Sequence, residues 1–199
     1  MSATLVDIEE KVRSGVRDVP TLNAFLMRLI GEPFLFARFG YEDEFSMHFG
    51  ISHEAKHPKL RASGIKYGSY IIRTRGSGWL IKSSIGRIVF EGVREQVNPA
   101  ILTAGGTPIS PQDIKLDDFL VADTFVLDIY TCLVKQVNGI GFRIDMSDNS
   151  SVLVIPTADE PLPENSPDLP ELSDWELETP YGTARVGPGL KWEYLPAKT

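Results

Sequence analysis

One pattern occurs twice in this chain, and it constrains the fold more than any other feature. Phe45-Ser46-Met47-His48-Phe49 is followed by Ser69-Tyr70-Ile71-Ile72 and then by Gly78-Trp79-Leu80-Ile81-Lys82. Phe142-Arg143-Ile144-Asp145-Met146 is followed by Ser151-Val152-Leu153-Val154-Ile155 and then by Asp174-Trp175-Glu176-Leu177-Glu178. Each half offers two segments that alternate apolar and polar residues, the period-two signature of a strand with one buried face, and then a strand built around a tryptophan. Superposing the halves sets Phe45 on Phe142, His48 on Asp145 and Trp79 on Trp175. The inward residues agree and the outward ones differ, as expected where the shared feature is a core. The expected fold is α+β and mainly β: antiparallel sheets from two related β units, with an N-terminal helical segment packed on them.

The rest of the chain fits around those units. Residues 1–31 read as helical. Thr4 and Asp7 approach a capping box before Leu5, Ile8 and Val12, Gly15 and Pro20 interrupt, and a second helix from Thr21 to Gly31 carries Leu22, Phe25, Leu26 and Leu29 on one face. That face suits a lid over a sheet. The first β unit occupies 32–92, opening with the strand Phe34–Phe39, and residues 50–68 read as a polar excursion. Residues 93–120, rich in proline and glycine, connect the halves, and 121–199 form the second unit. Within it, Asn138-Gly139 gives the strongest hairpin signal, because both residues tolerate the positive φ of a type I′ turn. The stretch 156–170 reads as an extended acidic crossing. A single compact domain of 199 residues is long enough to bury a substantial interior.

Charge and cysteine content narrow the partners. A net charge of −7 disfavours nucleic acid and anionic membrane, and leaves a protein partner with a basic surface as the expectation. The densest basic stretch, Lys56 to Arg75, is read as a solvated surface. The lone Cys132 sits in an apolar run without an adjacent His or acid, so it reads as a small buried hydrophobe in a reducing cytoplasm. No signal peptide or membrane-spanning run is visible. The oligomeric state is not legible.

His53-Glu54-Ala55-Lys56-His57 satisfies H-E-x-x-H. In a zinc hydrolase that spacing puts two imidazoles one helical turn apart on the metal, with the glutamate as general base. His48 is the remaining histidine and a conceivable third ligand. The chemistry needs a helix, and Pro58 pushes His57 away from helical φ/ψ. The motif therefore reads as a loop with solvated histidines. No catalytic residue, metal or cofactor is expected, although Glu54 as base and His48, His53 and His57 as ligands define the alternative of a metal-dependent hydrolase. The acids Glu42, Asp43 and Glu44 read as a solvated turn.

Trp175-Glu176-Leu177-Glu178-Thr179-Pro180-Tyr181-Gly182, followed by Val186-Gly187-Pro188-Gly189, resembles the W-E-L-x-x-P-x-G hairpin that ends certain short bacterial proteins of unknown function. The resemblance covers mainly residues 130–192. Some such domains are suspected immunity or accessory proteins of toxin systems, so it implies a compact β fold and a non-enzymatic role in protein interaction; it carries over no catalytic residue. A further alternative is a small-ligand binder in a groove between the β units. Trp79 and Trp175 would be its aromatic walls, but they read better as core anchors.

Overall fold

The computed structural model describes residues 18–39, 44–74, 77–85, 88–92, 101–102, 108–109, 125–134, 137–156, 174–187 and 190–197. The helix expected over residues 4–15, the turn acids Glu42 and Asp43, the crossing after Pro156 and the Cys132 side chain lie outside this set.

Helix α1 (Val19–Leu26) starts where extended Asp18 accepts the Thr21 N–H at 2.7 Å, and Pro20 supplies a fixed φ in the first turn. Pro20, expected to interrupt the segment, helps to begin it. A 3-10 turn (Met27–Leu29) ends the segment before Gly31 at φ +94°. Leu22, Phe25, Leu26 and Leu29 are all buried, as their spacing predicts. The helix reaches from β13 of one sheet, through the Phe25–Tyr194 ring contact and the Trp192 Nε1 bond to the Asp18 carbonyl, to β8 of the other.

The strands are β1 (Phe34–Phe39), β2 (Phe45–Glu54), β3 (Lys66–Thr74), β4 (Gly78–Lys82), β5 (Ile88–Gly92), β6 (Ile101–Leu102), β7 (Pro108–Ile109), β8 (Phe125–Val134), β9 (Val137–Met146), β10 (Ser151–Ile155), β11 (Trp175–Thr179), β12 (Gly182–Gly187) and β13 (Lys191–Pro196). A short helix α2 (Pro58–Ala62) joins β2 to β3. The fold is mainly β. One antiparallel sheet runs β1-β2-β3-β11-β12-β13 and a second runs β5-β4-β10-β9-β8; β6 and β7 form a separate pair. The two large sheets bury one continuous core between them.

Each large sheet draws strands from both halves. A meander β1-β2-β3 is completed by β11 and β12 of the later half, and a meander β8-β9-β10 by β4 and β5 of the earlier one. Each sheet has a row that runs through one of the two tryptophans Trp79 and Trp175. Phe39, Phe45, Thr74, Trp175 and Val186 lie side by side in the first sheet; Ile129, Phe142, Val154, Trp79 and Gly92 do so in the second. Trp79 packs on Phe45 at 5.2 Å across the core, and Trp175 on Phe142 at 5.0 Å. Trp175 also donates Nε1–H to the Ile140 carbonyl at 2.8 Å, bonding one sheet directly to the other.

Two local expectations are corrected. Residues 50–68 are not a loop: β2 runs to Glu54 and β3 begins at Lys66, paired as Ser52↔Gly68, His53↔Tyr67 and Glu54↔Lys66. A bulge at Gly50 (φ +81°) and Ile51 had hidden this continuation by breaking the alternation, and Ser69 Oγ bonds Ile51 main chain to close it. Asn138-Gly139 is not a turn. Val134 pairs with Val137, and Asn138 and Gly139 pair with Leu133 and Cys132 inside the hairpin. Moving the turn onto Asn138-Gly139 would take Phe125 and Leu127 away from Met146 and Ile144, and that core register outweighs the local preference.

Candidate functional site

The three histidines are not brought together. His48 is on β2 with no exposed surface, His53 is on the exposed end of the same strand, and His57 is the extended residue (φ −74°, ψ 127°) that precedes α2. His53 and Glu54 are strand neighbours, so their side chains leave on opposite faces, and the one-turn spacing that H-E-x-x-H chemistry needs is not formed. His53 Nε2 lies 2.9 Å from Ser69 Oγ, while Glu54 faces the Arg61 guanidinium at 3.8 Å. Among the described residues no group of three His, Cys, Asp or Glu side chains is placed to hold a metal ion.

His48 and Ser46, two residues apart on one face of β2, superficially resemble a nucleophile and its base, with Ser46 Oγ 3.4 Å from His48 Nε2. The hydrogen bonds assign the tautomer the other way. His48 Nδ1 accepts the Gly68 N–H at 3.2 Å, so the ring proton sits on Nε2 and faces the serine. A general base needs an unprotonated nitrogen there. The Ser46 hydroxyl itself donates to the Arg38 carbonyl at 3.3 Å. Burial, with the Arg38 and Arg73 guanidinia adding to it, holds the imidazole pKa at about 3. Phe36 stacks on the ring at 4.4 Å and Tyr67 flanks it at 5.7 Å. His48 therefore fills the bulge between β2 and β3 as a neutral acceptor and has no acid–base role.

Both indoles are inside. Trp175 is fully buried and Trp79 is 6% exposed, so neither lines a groove.

Two surfaces remain. The first is the end of the β2–β3 hairpin. Ile51–Glu54 have β3 on one side and no described strand on the other, because β1 pairs only as far as Phe49. Lys66–Tyr70 likewise lie beyond the reach of β11. The hairpin with α2 thus forms an arm projecting past the sheet, with Ile51 69% and Leu60 37% exposed. Four basic residues (Lys56, Lys59, Arg61, Lys66) against one acid (Glu54) give residues 51–66 a local charge of +3 on a chain of −7.

The second is the face of the six-stranded sheet turned away from the shared core, on which Ser46, His48 and Glu176 are nonetheless buried. Register places Arg38, Ser46, Arg73, Glu176, Arg185 and Glu193 side by side across all its strands. From β3 outward, charge alternates. Arg73 meets Glu178 at 3.3 Å, and Arg185 lies 3.6 Å from Glu176 and 3.9 Å from Glu193. At the β1 end the order breaks: Ser46 separates two arginines, and Arg38 stacks over the Tyr67 ring at 4.5 Å with no carboxylate within ion-pair distance among the described residues. Sequence reasoning missed this row. The outward parity of each charge is visible strand by strand, but the contact between β3 and β11 joins residues as far apart as Arg73 and Glu178, and nothing local signals that pairing.

No family model matches the chain, and no match is found among curated proteins or solved structures.

Proposed function

We propose that this chain is a non-enzymatic protein-interaction module of the immunity or accessory kind, and that the β2–β3 arm is its principal contact element. The arm carries the reading. Only Ala55 of it is buried and none of it joins the shared core cluster, yet it holds an ordered ribbon and helical tip with Ile51 and Leu60 uncovered among charges. Ordering such a segment costs about 1–2 kcal/mol of backbone entropy per residue, which a partner's surface would offset. The net charge of −7 favours a partner that is basic overall, since long-range attraction follows summed charge while local pairs set the fit.

The test joins capture with reconstitution. The protein is used as bait in extract of its own host at low and high salt, and the captured protein is then purified and titrated calorimetrically. A variant in which residues 52–66 are replaced by a two-residue turn keeps the sheets and lacks the arm. Salt-sensitive 1:1 binding that weakens at least about tenfold without the arm is the expected result. Equal binding by the armless variant, or turnover of a substrate that needs Glu54, would remove the proposal.

A further inference from the structure

We infer that the β2–β3 arm docks in an acidic cleft of the partner protein, where Lys56, Lys59 and Lys66 meet Asp or Glu carboxylates around the apolar contacts of Ile51 and Leu60. This rests on the interaction reading and adds the chemistry of the surface that the arm meets.

Three observations carry it. First, the cations of the arm have no acids to answer them. Its one acid, Glu54, faces Arg61 at 3.8 Å, and among the described residues no carboxylate lies within ion-pair distance of Lys56, Lys59 or Lys66. All three lysines are exposed. On the body of the same sheet, by contrast, Arg73 and Arg185 both meet glutamates. Second, the tip is held in shape. Arg61 Nε donates to the Ala55 carbonyl at 3.1 Å and its Nη2 to the Lys56 carbonyl at 3.5 Å, and Ser63 Oγ donates to the Lys59 carbonyl at 3.1 Å. The Ala55 N–H reaches the Ile65 carbonyl at 3.1 Å, and the Ile65 N–H the Leu60 carbonyl at 3.0 Å. Main chain at Lys56 and Lys59 is therefore already fixed, and binding has only the lysine side chains left to order. Third, the arm extends past the pairing of β1 on one side and of β11 on the other, so it reaches into a recess better than it covers a flat face.

The two scales of charge select a protein as the occupant. A chain of −7 is drawn to a partner that is basic overall, while an arm of +3 pairs locally with acids. A protein can combine a basic surface with a carboxylate-lined cleft. Duplex nucleic acid and an anionic bilayer are negative throughout, and the acidic body of this chain repels them. A second copy, also at −7, is a poor occupant for the same reason.

A defined probe tests the chemistry, and the captured protein tests its use. A capped peptide of Asp-Asp-Leu repeats is titrated into the full chain while backbone amide NMR signals are followed; the same peptide with Asn in place of Asp is the control. The expectation is saturable shifts confined to residues 51–66, with binding at least about tenfold weaker for the Asn peptide and for the variant Lys56→Gln/Lys59→Gln/Lys66→Gln. The corresponding triple Lys→Arg variant should bind as the native chain does. Unchanged amide signals of Ala55 and Ile65 would confirm that the tip persists in both variants, since Arg61 is untouched. The captured protein should likewise bind the glutamine variant at least about tenfold more weakly than the native chain. No saturable shifts, equal binding of the two peptides, or undiminished capture by the glutamine variant would overturn the inference. Tighter binding of a short DNA duplex or of phosphatidylserine vesicles than of the Asp peptide, at equal salt, would assign the arm to phosphate and overturn it equally. A captured protein that needs the arm but not its lysines sinks this inference and leaves the interaction reading standing; one that binds the armless variant equally sinks that reading.

Discussion

His48 owes its neutral state to position. Its ring lies between Phe36 and Tyr67, accepts one main-chain hydrogen bond, and sits close enough to Arg38 and Arg73 that a proton would add a third positive charge. The native pKa is about 3, whereas an unfolded histidine titrates near 6.5. Above pH 6.5 neither state is charged and the residue gives no pH dependence. Between pH 6.5 and 3 the unfolded chain binds a proton that the native chain refuses, so stability falls as pH falls, by up to about 1.4 kcal/mol per pH unit. His48→Gln keeps an acceptor for the Gly68 N–H and does not titrate. In urea unfolding from pH 7 to pH 4, the stability of the native protein relative to this variant should therefore decline steadily; a constant difference would mean that His48 is charged in the fold. The histidine pattern was legible in the sequence and its meaning was not, because the partners that silence it come from β1 and from the far side of a bulge.

At the scale of the element, local rules succeeded where the core agreed with them. The alternation of Phe45–Phe49, Phe142–Met146 and Ser151–Ile155 marked real strands with the expected inward residues, and Thr179 to Gly182 turned where proline and glycine said it would. They failed at Asn138-Gly139, where turn chemistry and core register compete. Gly139 is needed there for a different reason: a Cβ on it would overlap Cβ and Cγ of buried Pro156, at the point where β10 ends. Gly139→Ala should cost about 2 kcal/mol or more through this overlap. Removing the obstacle in the double variant Gly139→Ala/Pro156→Gly should recover at least about 1 kcal/mol of non-additive coupling in a denaturation cycle. If the glycine served a positive-φ turn, relief at Pro156 would recover nothing.

For the molecule as a whole, the placement of the two tryptophans is informative about assembly. Phe45 and Phe142 occupy corresponding places, as do Trp79 and Trp175, yet each tryptophan belongs to the sheet built on the other half's meander. The sequence did not show this exchange, because pairing of β3 with β11 and of β10 with β4 is decided by tertiary closure across about 70 to 110 residues. The exchange has a mechanical consequence. Residues 1–100 contain β1 to β5, but β3 then lacks β11 and β4 lacks β10, so both sheets are left with open central edges and half a core. Residues 101–199 are in the same position. Neither fragment should fold alone, each giving disordered NMR spectra and no cooperative melting, whereas mixing them should restore a 1:1 complex with the dispersed amide pattern of the intact chain. The intact chain should unfold in one transition by fluorescence of Trp79, Trp175 and Trp192 and by circular dichroism, since no half retains a sheet after the other departs. Two resolved transitions, or a fragment that melts cooperatively alone, would show that each half closes on itself and that the shared core is dispensable.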